Sequence, residues 1–155
     1  MLHQGIVKLA GLALAACALA ACGSQGSKAA QTAAPSGATA AYSAAANGRA
    51  IFRTGRDLDG HPILAASRPL KPACAACHGM NGSGGLHIAD HAVSADLRHK
   101  ALVTDQKPPY TLALLERAIS RGIDNTGQPL NSVMPRWRMS ARDLHDVSAY
   151  VLTLK

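Results

Sequence analysis

The sequence has few aromatic residues, few cysteines and no clustered charge. One Phe, one Trp and three Tyr occur in 155 residues, so aliphatic side chains or a buried prosthetic group must supply most of the apolar core volume. The formal charge of +7 raises the question of nucleic-acid binding. From Tyr42 onward, however, 14 Lys and Arg accompany 9 Asp and Glu, and they are scattered along the chain. This distribution predicts a solvated basic surface and no nucleic-acid partner.

No apolar segment after residue 22 is long enough to span a bilayer. The apolar run of residues 9–21 follows the polar His3 and Lys8, and this pattern is typical of an export signal. Its end, Leu-Ala-Ala-Cys at 19–22, resembles the lipobox of bacterial lipoproteins. The resemblance implies cleavage before Cys22 and lipidation of that cysteine, which would anchor the protein to a membrane surface. A plain cleaved signal with an incidental cysteine is the alternative.

The residues behind the lipobox are small and polar and show no apolar period. Such a composition cannot bury enough surface to fold and behaves as a flexible linker. We therefore predict a signal peptide over 1–21, a lipidated flexible tether over 22–41 and one folded domain over 42–155.

Only two cysteines, Cys74 and Cys77, remain in the predicted domain, and His78 follows them directly. A zinc site would need two more ligands. His87 and His91, four residues apart, are the candidates, but such a site has no use for His78. A thioredoxin-like dithiol would need a strand and a helix around the motif, and the proline-containing segment upstream has no strand-like alternation.

The Cys-x-x-Cys-His spacing is instead typical of covalent haem attachment, and this interpretation accounts for all three residues. The thiols of Cys74 and Cys77 add to the haem vinyl groups, and the imidazole of His78 is then placed at the iron. The motif predicts one covalently bound haem c.

The second axial position decides between electron transfer and chemistry at an open iron. Met80 is too close to His78 to reach the other face of the haem, and Met139 is interpreted as a packing residue before a helix. Met134 precedes Pro135 and therefore lies in extended backbone, which suits the presentation of a thioether. The loop context alone does not identify Met134 as a ligand, and an ordinary buried methionine remains the alternative.

The domain as a whole resembles a class I-type monohaem cytochrome c. The resemblance is carried by Gly48 and Phe52 in an N-terminal helix, by the haem motif with its following glycines, by the Met134-Pro135 loop and by Tyr150 in a last helix. It implies an all-α fold of about four to five helices packed around the covalently bound haem, with His78 and Met134 as axial ligands. It also implies an electron-transfer role. Arg136 and Trp137, next to the loop, are candidates for contacts with the haem propionates.

Helix patterns support this architecture independently. Leu112, Leu115 and Ile119 share one helical face, and Gly122 is a natural stop. The final helix is predicted from a second apolar stripe and from a capping box that pairs Ser140 with Asp143. The stripe consists of Leu144, Val147, Val151 and Leu154.

Two features depart from the cytochrome c pattern. Residues 53–73 form a longer connection than the family's short link, which predicts a surface loop or hairpin near the haem edge. No proline lies between Gly79 and Lys107, whereas the family often uses a proline carbonyl there to hold the proximal histidine. Another backbone carbonyl must orient His78.

Taken together, the sequence predicts a membrane-anchored periplasmic electron carrier, monomeric and not an enzyme. It would pass single electrons between redox partner proteins of a respiratory chain or a dehydrogenase. The alternative is a haem enzyme or gas sensor with an open or labile sixth iron position, in which His87, His91 or His99 would supply the polar group near the iron.

Overall fold

The structure is a computed structural model that describes residues 41–66, 71–89 and 91–155. Four α-helices are present in these residues: α1 (Ala44–Thr54), α2 (Ala75–His78), α3 (Leu112–Arg121) and α4 (Ala141–Val151). A π-helical turn spans Lys100–Thr104. The predicted all-α class with four to five helices is therefore confirmed. The predicted signal peptide, Cys22 and the tether up to residue 40 lie outside the described residues.

Each longer helix begins where a side chain caps its first amide groups. Ser43 and Thr111 accept hydrogen bonds at the starts of α1 and α3, from the amides of Ala46 and Leu114 respectively. At α4 the Ser140 hydroxyl accepts from the Asp143 amide at 3.1 Å, so the predicted capping pair is confirmed. Helix α3 ends at Gly122, also as predicted.

The apolar stripes form the core. Leu115 and Ile119 from α3 are buried together with Val147 and Val151 from α4. Leu154 is buried as well, but it lies beyond the end of α4, so the predicted stripe is longer than the helix.

Helices α1 and α4 pack so closely that Gly48 is required at their crossing. A Cβ atom at Gly48 would lie 2.1 Å from the Asp146 carbonyl oxygen. One turn away, the rings of Phe52 and Tyr150 meet with their centroids 5.6 Å apart. The buried Asn47 Nδ2 donates to Asp143 at 2.8 Å and to Asp146 at 2.9 Å, and its Oδ1 accepts from the Leu58 amide at 2.9 Å, so the side chain is satisfied.

The described residues also contain two small antiparallel ladders. β1 (Leu64–Ala65) pairs with β4 (Trp137–Arg138), and β2 (His87–Ala89) pairs with β3 (Ala92–Val93). β1 belongs to the long connection after α1, so this connection forms more than a loop: it adds a strand beside the segment that follows Met134. Within the described ranges, no helix is long and apolar enough to cross a membrane.

One buried hydroxyl of α4 leads to a first prediction. Ser148 is fully buried, and its Oγ has no hydrogen-bond partner among the described residues. Ser148→Ala should leave the free energy of unfolding unchanged or raise it by about 1 kcal/mol, because it removes a desolvated hydroxyl without creating an unpaired group. The matched control is Ser140→Ala on the same helix, which should lose about 1 kcal/mol with the cap. Urea unfolding measures both changes, and a clear destabilisation by Ser148→Ala would contradict the prediction.

Candidate haem site

The Cys-x-x-Cys-His motif forms one helical turn. Cys74 is the residue that precedes α2, and His78 is the last residue of that helix. Positions i, i+3 and i+4 lie on one face of a helix, so Cys74, Cys77 and His78 are presented to the same side. Both cysteines are free thiols and are partly buried.

The His78 imidazole is oriented by a backbone carbonyl. Its Nδ1 lies 2.8 Å from the carbonyl oxygen of Ala95 and donates to it, which leaves Nε2 as the metal-binding nitrogen. Burial lowers the pKa of His78, and the Ala95 hydrogen bond opposes this shift only in part. The imidazole is therefore neutral near pH 7, as an iron ligand must be. Ala95 is the orienting carbonyl that the sequence required but did not identify.

Ala95 reaches His78 because Gly84 lets two chain segments approach. Gly84 has a φ of +63°, and a Cβ there would lie 2.3 Å from the Ala95 oxygen and 2.6 Å from the Ser94 oxygen. The Gly84 amide also donates to the His78 carbonyl at 2.8 Å. The glycine-rich run after the motif thus packs the orienting carbonyl against the imidazole.

The two thiols are kept protonated by their surroundings. Burial raises the pKa of Cys74 to about 12. Burial also raises the pKa of Cys77, against a smaller opposing effect of the Lys71 charge. A redox dithiol needs an accessible thiolate, so these environments disfavour that alternative.

A cavity of about 330 Å³ opens beside the motif, and its lining joins distant parts of the chain. Cys74, Cys77 and His78 line it, and so do Met134 and Pro135 from the loop between α3 and β4. Most of the remaining lining is apolar, and its helical part comes from the π-helical turn, α3 and the end of α4. This apolar set includes Leu97, Leu102, Leu115, Ala118, Ile119, Val133 and Val151.

The other histidines named in the sequence analysis do not take part in this cavity. His87 and His91 are exposed, and His99 bonds the Leu152 carbonyl through Nδ1 at 2.9 Å. None of these three residues lines the cavity. His87 and His91 also do not meet the cysteines: among the described residues, the one cluster with metal-ligand spacing is exposed and formed by Asp57, Asp59 and His61. The structure therefore does not bring together the four ligands of the zinc alternative, and it does not place these three histidines in the cavity lining.

The structure gives Arg136 partners other than the predicted propionates. Its guanidinium donates to backbone carbonyls of its own loop, including that of Met134 at 2.5 Å. Nη1 and Nη2 thus point to the main chain, and a propionate contact of Arg136 stays a prediction. Trp137 is buried in the core and lines the cavity, so a propionate contact remains a prediction for Trp137.

Polar cavity residues were missed by the sequence analysis. Gln106, Tyr110 and Asn125 line the cavity from the two loops that flank α3. The Asn125 amide is buried and donates to the Pro108 carbonyl at 2.5 Å. Burial also raises the pKa of Tyr110. No motif marks these positions, since they become neighbours only when the loops meet.

The residues of this cavity fit a covalently attached haem. One helical turn brings two protonated thiols and a neutral, oriented imidazole to the same lining, and a thioether reaches that lining from elsewhere in the chain. The apolar side chains suit a flat, largely apolar macrocycle, and sulfur and imidazole are ligands that haem iron accepts.

The comparison with known families agrees with this site. The family model described as Cytochrome c matches residues 45–155, which include α1 except its first residue, α2 to α4 and the whole cavity. No curated protein and no solved structure matches the chain significantly. Because the match covers well over half of the chain and includes the haem-attachment motif, the chain belongs to the cytochrome c family, whose domain binds covalent haem c and serves as a haem-based electron carrier.

Proposed function

We propose that the protein is a membrane-anchored periplasmic electron carrier of the class I, monohaem type, in which His78 and Met134 are the axial ligands. The observation that supports this most directly is the shared cavity: Cys74, Cys77, His78 and Met134 all line it, although Met134 is far from the motif in sequence. A filled sixth position favours electron transfer over substrate or gas binding.

The bound haem supplies an iron that exchanges one electron at a time. The protein's own residues keep the change in structure small. Ala95 fixes the orientation of His78 through the Nδ1 hydrogen bond, and the apolar lining excludes water and favours the less charged state of the centre. Cys77 is partly exposed, and we place the route of the electron at this edge of the cavity.

The partners and the location are part of the proposal. The lipid on Cys22 would hold the domain near redox partner proteins of a respiratory chain or a dehydrogenase and so raise its effective concentration there. We propose that the domain acts as a monomer, does not bind nucleic acid and is not itself an enzyme.

The experiment that tests the ligand proposal is the visible spectrum of the dithionite-reduced protein before and after addition of carbon monoxide. A low-spin c-type spectrum that carbon monoxide does not change is expected for a filled sixth position. Rapid binding of carbon monoxide would instead support a haem enzyme or a gas sensor.

The anchor has its own prediction. Cys22→Ser should move the protein from the membrane fraction to the soluble fraction, because the thioether-linked lipid cannot form on serine. Cys17→Ser is the matched control: Cys17 also follows Leu-Ala-Ala, but only eight apolar residues precede that pattern, so this variant should stay on the membrane. Membrane retention of the Cys22 variant, measured by fractionation and immunoblotting, would overturn the lipid anchor.

A further inference from the structure

The guanidinium of Arg136 lies at the centre of the loop that carries Met134. Nη1 donates to the carbonyl oxygens of Met134 at 2.5 Å and Asn131 at 3.2 Å. Nη2 donates to those of Leu130 at 2.8 Å and Gly122 at 3.5 Å. One side chain thus binds four carbonyls, three of them from the short segment that ends at Met134.

The end of α3 leaves space for this guanidinium. Gly122 is the residue after α3, and a Cβ there would lie 1.8 Å from Nε of Arg136 and 2.1 Å from Cζ. The Leu130 amide donates back to the Gly122 carbonyl at 2.8 Å. The loop is therefore fixed to the helix end by a backbone hydrogen bond and by Arg136 together.

The main chain of Arg136 is held from the other side. Its carbonyl accepts from the Ala66 amide at 2.8 Å, and the next two residues pair with Ala65 and Leu64 in the β1–β4 ladder. The long connection after α1 thus fixes the backbone of Arg136, whose side chain bonds the Met134 loop.

We propose that Arg136 is a positioning residue that holds the Met134 loop in the conformation that presents the thioether to the cavity. The inference rests on the proposed function, since it gives Met134 the role of axial ligand. Guanidinium suits this task because it offers five N–H donors in a fixed planar array, whereas an ammonium group is a single point charge on a flexible stem. Its removal leaves the Met134 and Leu130 carbonyls without a donor among the described residues, whereas the Asn131 and Gly122 carbonyls keep their backbone donors.

The test is the apparent affinity of the reduced holoprotein for carbon monoxide in Arg136→Lys and Arg136→Gln. Carbon monoxide needs an open iron, so its apparent affinity rises in proportion to the fraction of molecules in which Met134 has moved away. Loss of two or more hydrogen bonds should increase this fraction by roughly tenfold or more in both variants. Hydrogen exchange at the Leu130 and Met134 amides should accelerate in parallel, since both amides belong to the fixed loop.

Arg138→Gln is the matched control, because Arg138 lies two residues further along in β4 and is exposed. It should leave carbon monoxide binding and amide exchange as in the wild type. The covalent haem content and the midpoint of urea unfolding of each variant show whether the domain has folded.

Two results would overturn the inference. If the lysine variant matched the wild type and the glutamine variant changed only the reduction potential, Arg136 would act through its charge. If neither variant changed carbon monoxide binding or amide exchange, Arg136 would have no positioning role.

Met134→Ala in the same assays separates this inference from the proposed function. If it leaves carbon monoxide binding unchanged, the ligand assignment fails, and with it the role of Arg136 in presenting a ligand. Accelerated amide exchange in Arg136→Lys would then identify Arg136 as a purely structural loop clamp.

Discussion

Replacement of Met134 by alanine is expected to leave the haem attached, to lower the reduction potential and to open the iron to carbon monoxide. Attachment depends on Cys74 and Cys77, which the substitution does not touch. A thioether ligand stabilises ferrous iron, so its loss should lower the potential by on the order of 0.1 V, within the roughly 0.8 V range that axial ligands span. Potentiometric titration and carbon monoxide binding measure the two effects.

Met139→Ala is the control for this substitution. Met139 packs against the hydrophobic core and does not line the cavity, so its truncation should cost stability without changing the sixth position. If both methionine variants kept the wild-type potential and resisted carbon monoxide, a residue other than Met134 would be the ligand.

Gly84→Ala is expected to destabilise the domain and to raise the reduction potential. A Cβ at this position meets the Ala95 and Ser94 carbonyl oxygens at 2.3 and 2.6 Å, so the Ala95 carbonyl must move away from His78 Nδ1. The imidazole then loses the hydrogen bond that increases its basicity, and the ferric state loses stabilisation. We expect about 1–3 kcal/mol from overpacking, in addition to roughly 1–2 kcal/mol for an L-residue in left-handed backbone.

The adjacent Gly85 provides a matched control. It also has a positive φ, +78°, but a Cβ there meets nothing within 4 Å. Gly85→Ala should therefore show the backbone cost alone and keep the wild-type potential. Urea unfolding and potentiometry of the two variants measure the difference. Equal effects at both positions would show that the contact with Ala95 affects neither the stability nor the reduction potential.

Short-range patterns in the sequence were sufficient for part of the structure. The caps at Ser140 and Gly122 and the stripe through Leu115 and Ile119 are local signals, and each matches its predicted place. The haem motif is local as well, because its three residues act within a single helical turn.

The part of the structure that the sequence does not predict depends on contacts between segments that are distant in the chain. Ala95 acts through its carbonyl, so its side chain carries no signal, and its position depends on an approach allowed by Gly84. The strand in the long connection after α1 is only two residues long, too short for a periodic pattern. The charge of Arg136 in the sequence predicts an anionic partner, whereas in the structure its guanidinium donates to carbonyls of the neighbouring main chain.

The contact between the first and last long helices has a consequence for the order in which the protein is made. Asn47 and Asp146 are 99 residues apart in sequence, yet they bond inside the α1–α4 interface. The chain cannot form this interface until α4 is present, and contacts of such long range also slow folding. Until then α1 lacks its main packing partner, and the thiols of Cys74 and Cys77 stay outside a finished core. Both cysteines are thus more accessible before α4 docks than in the folded domain.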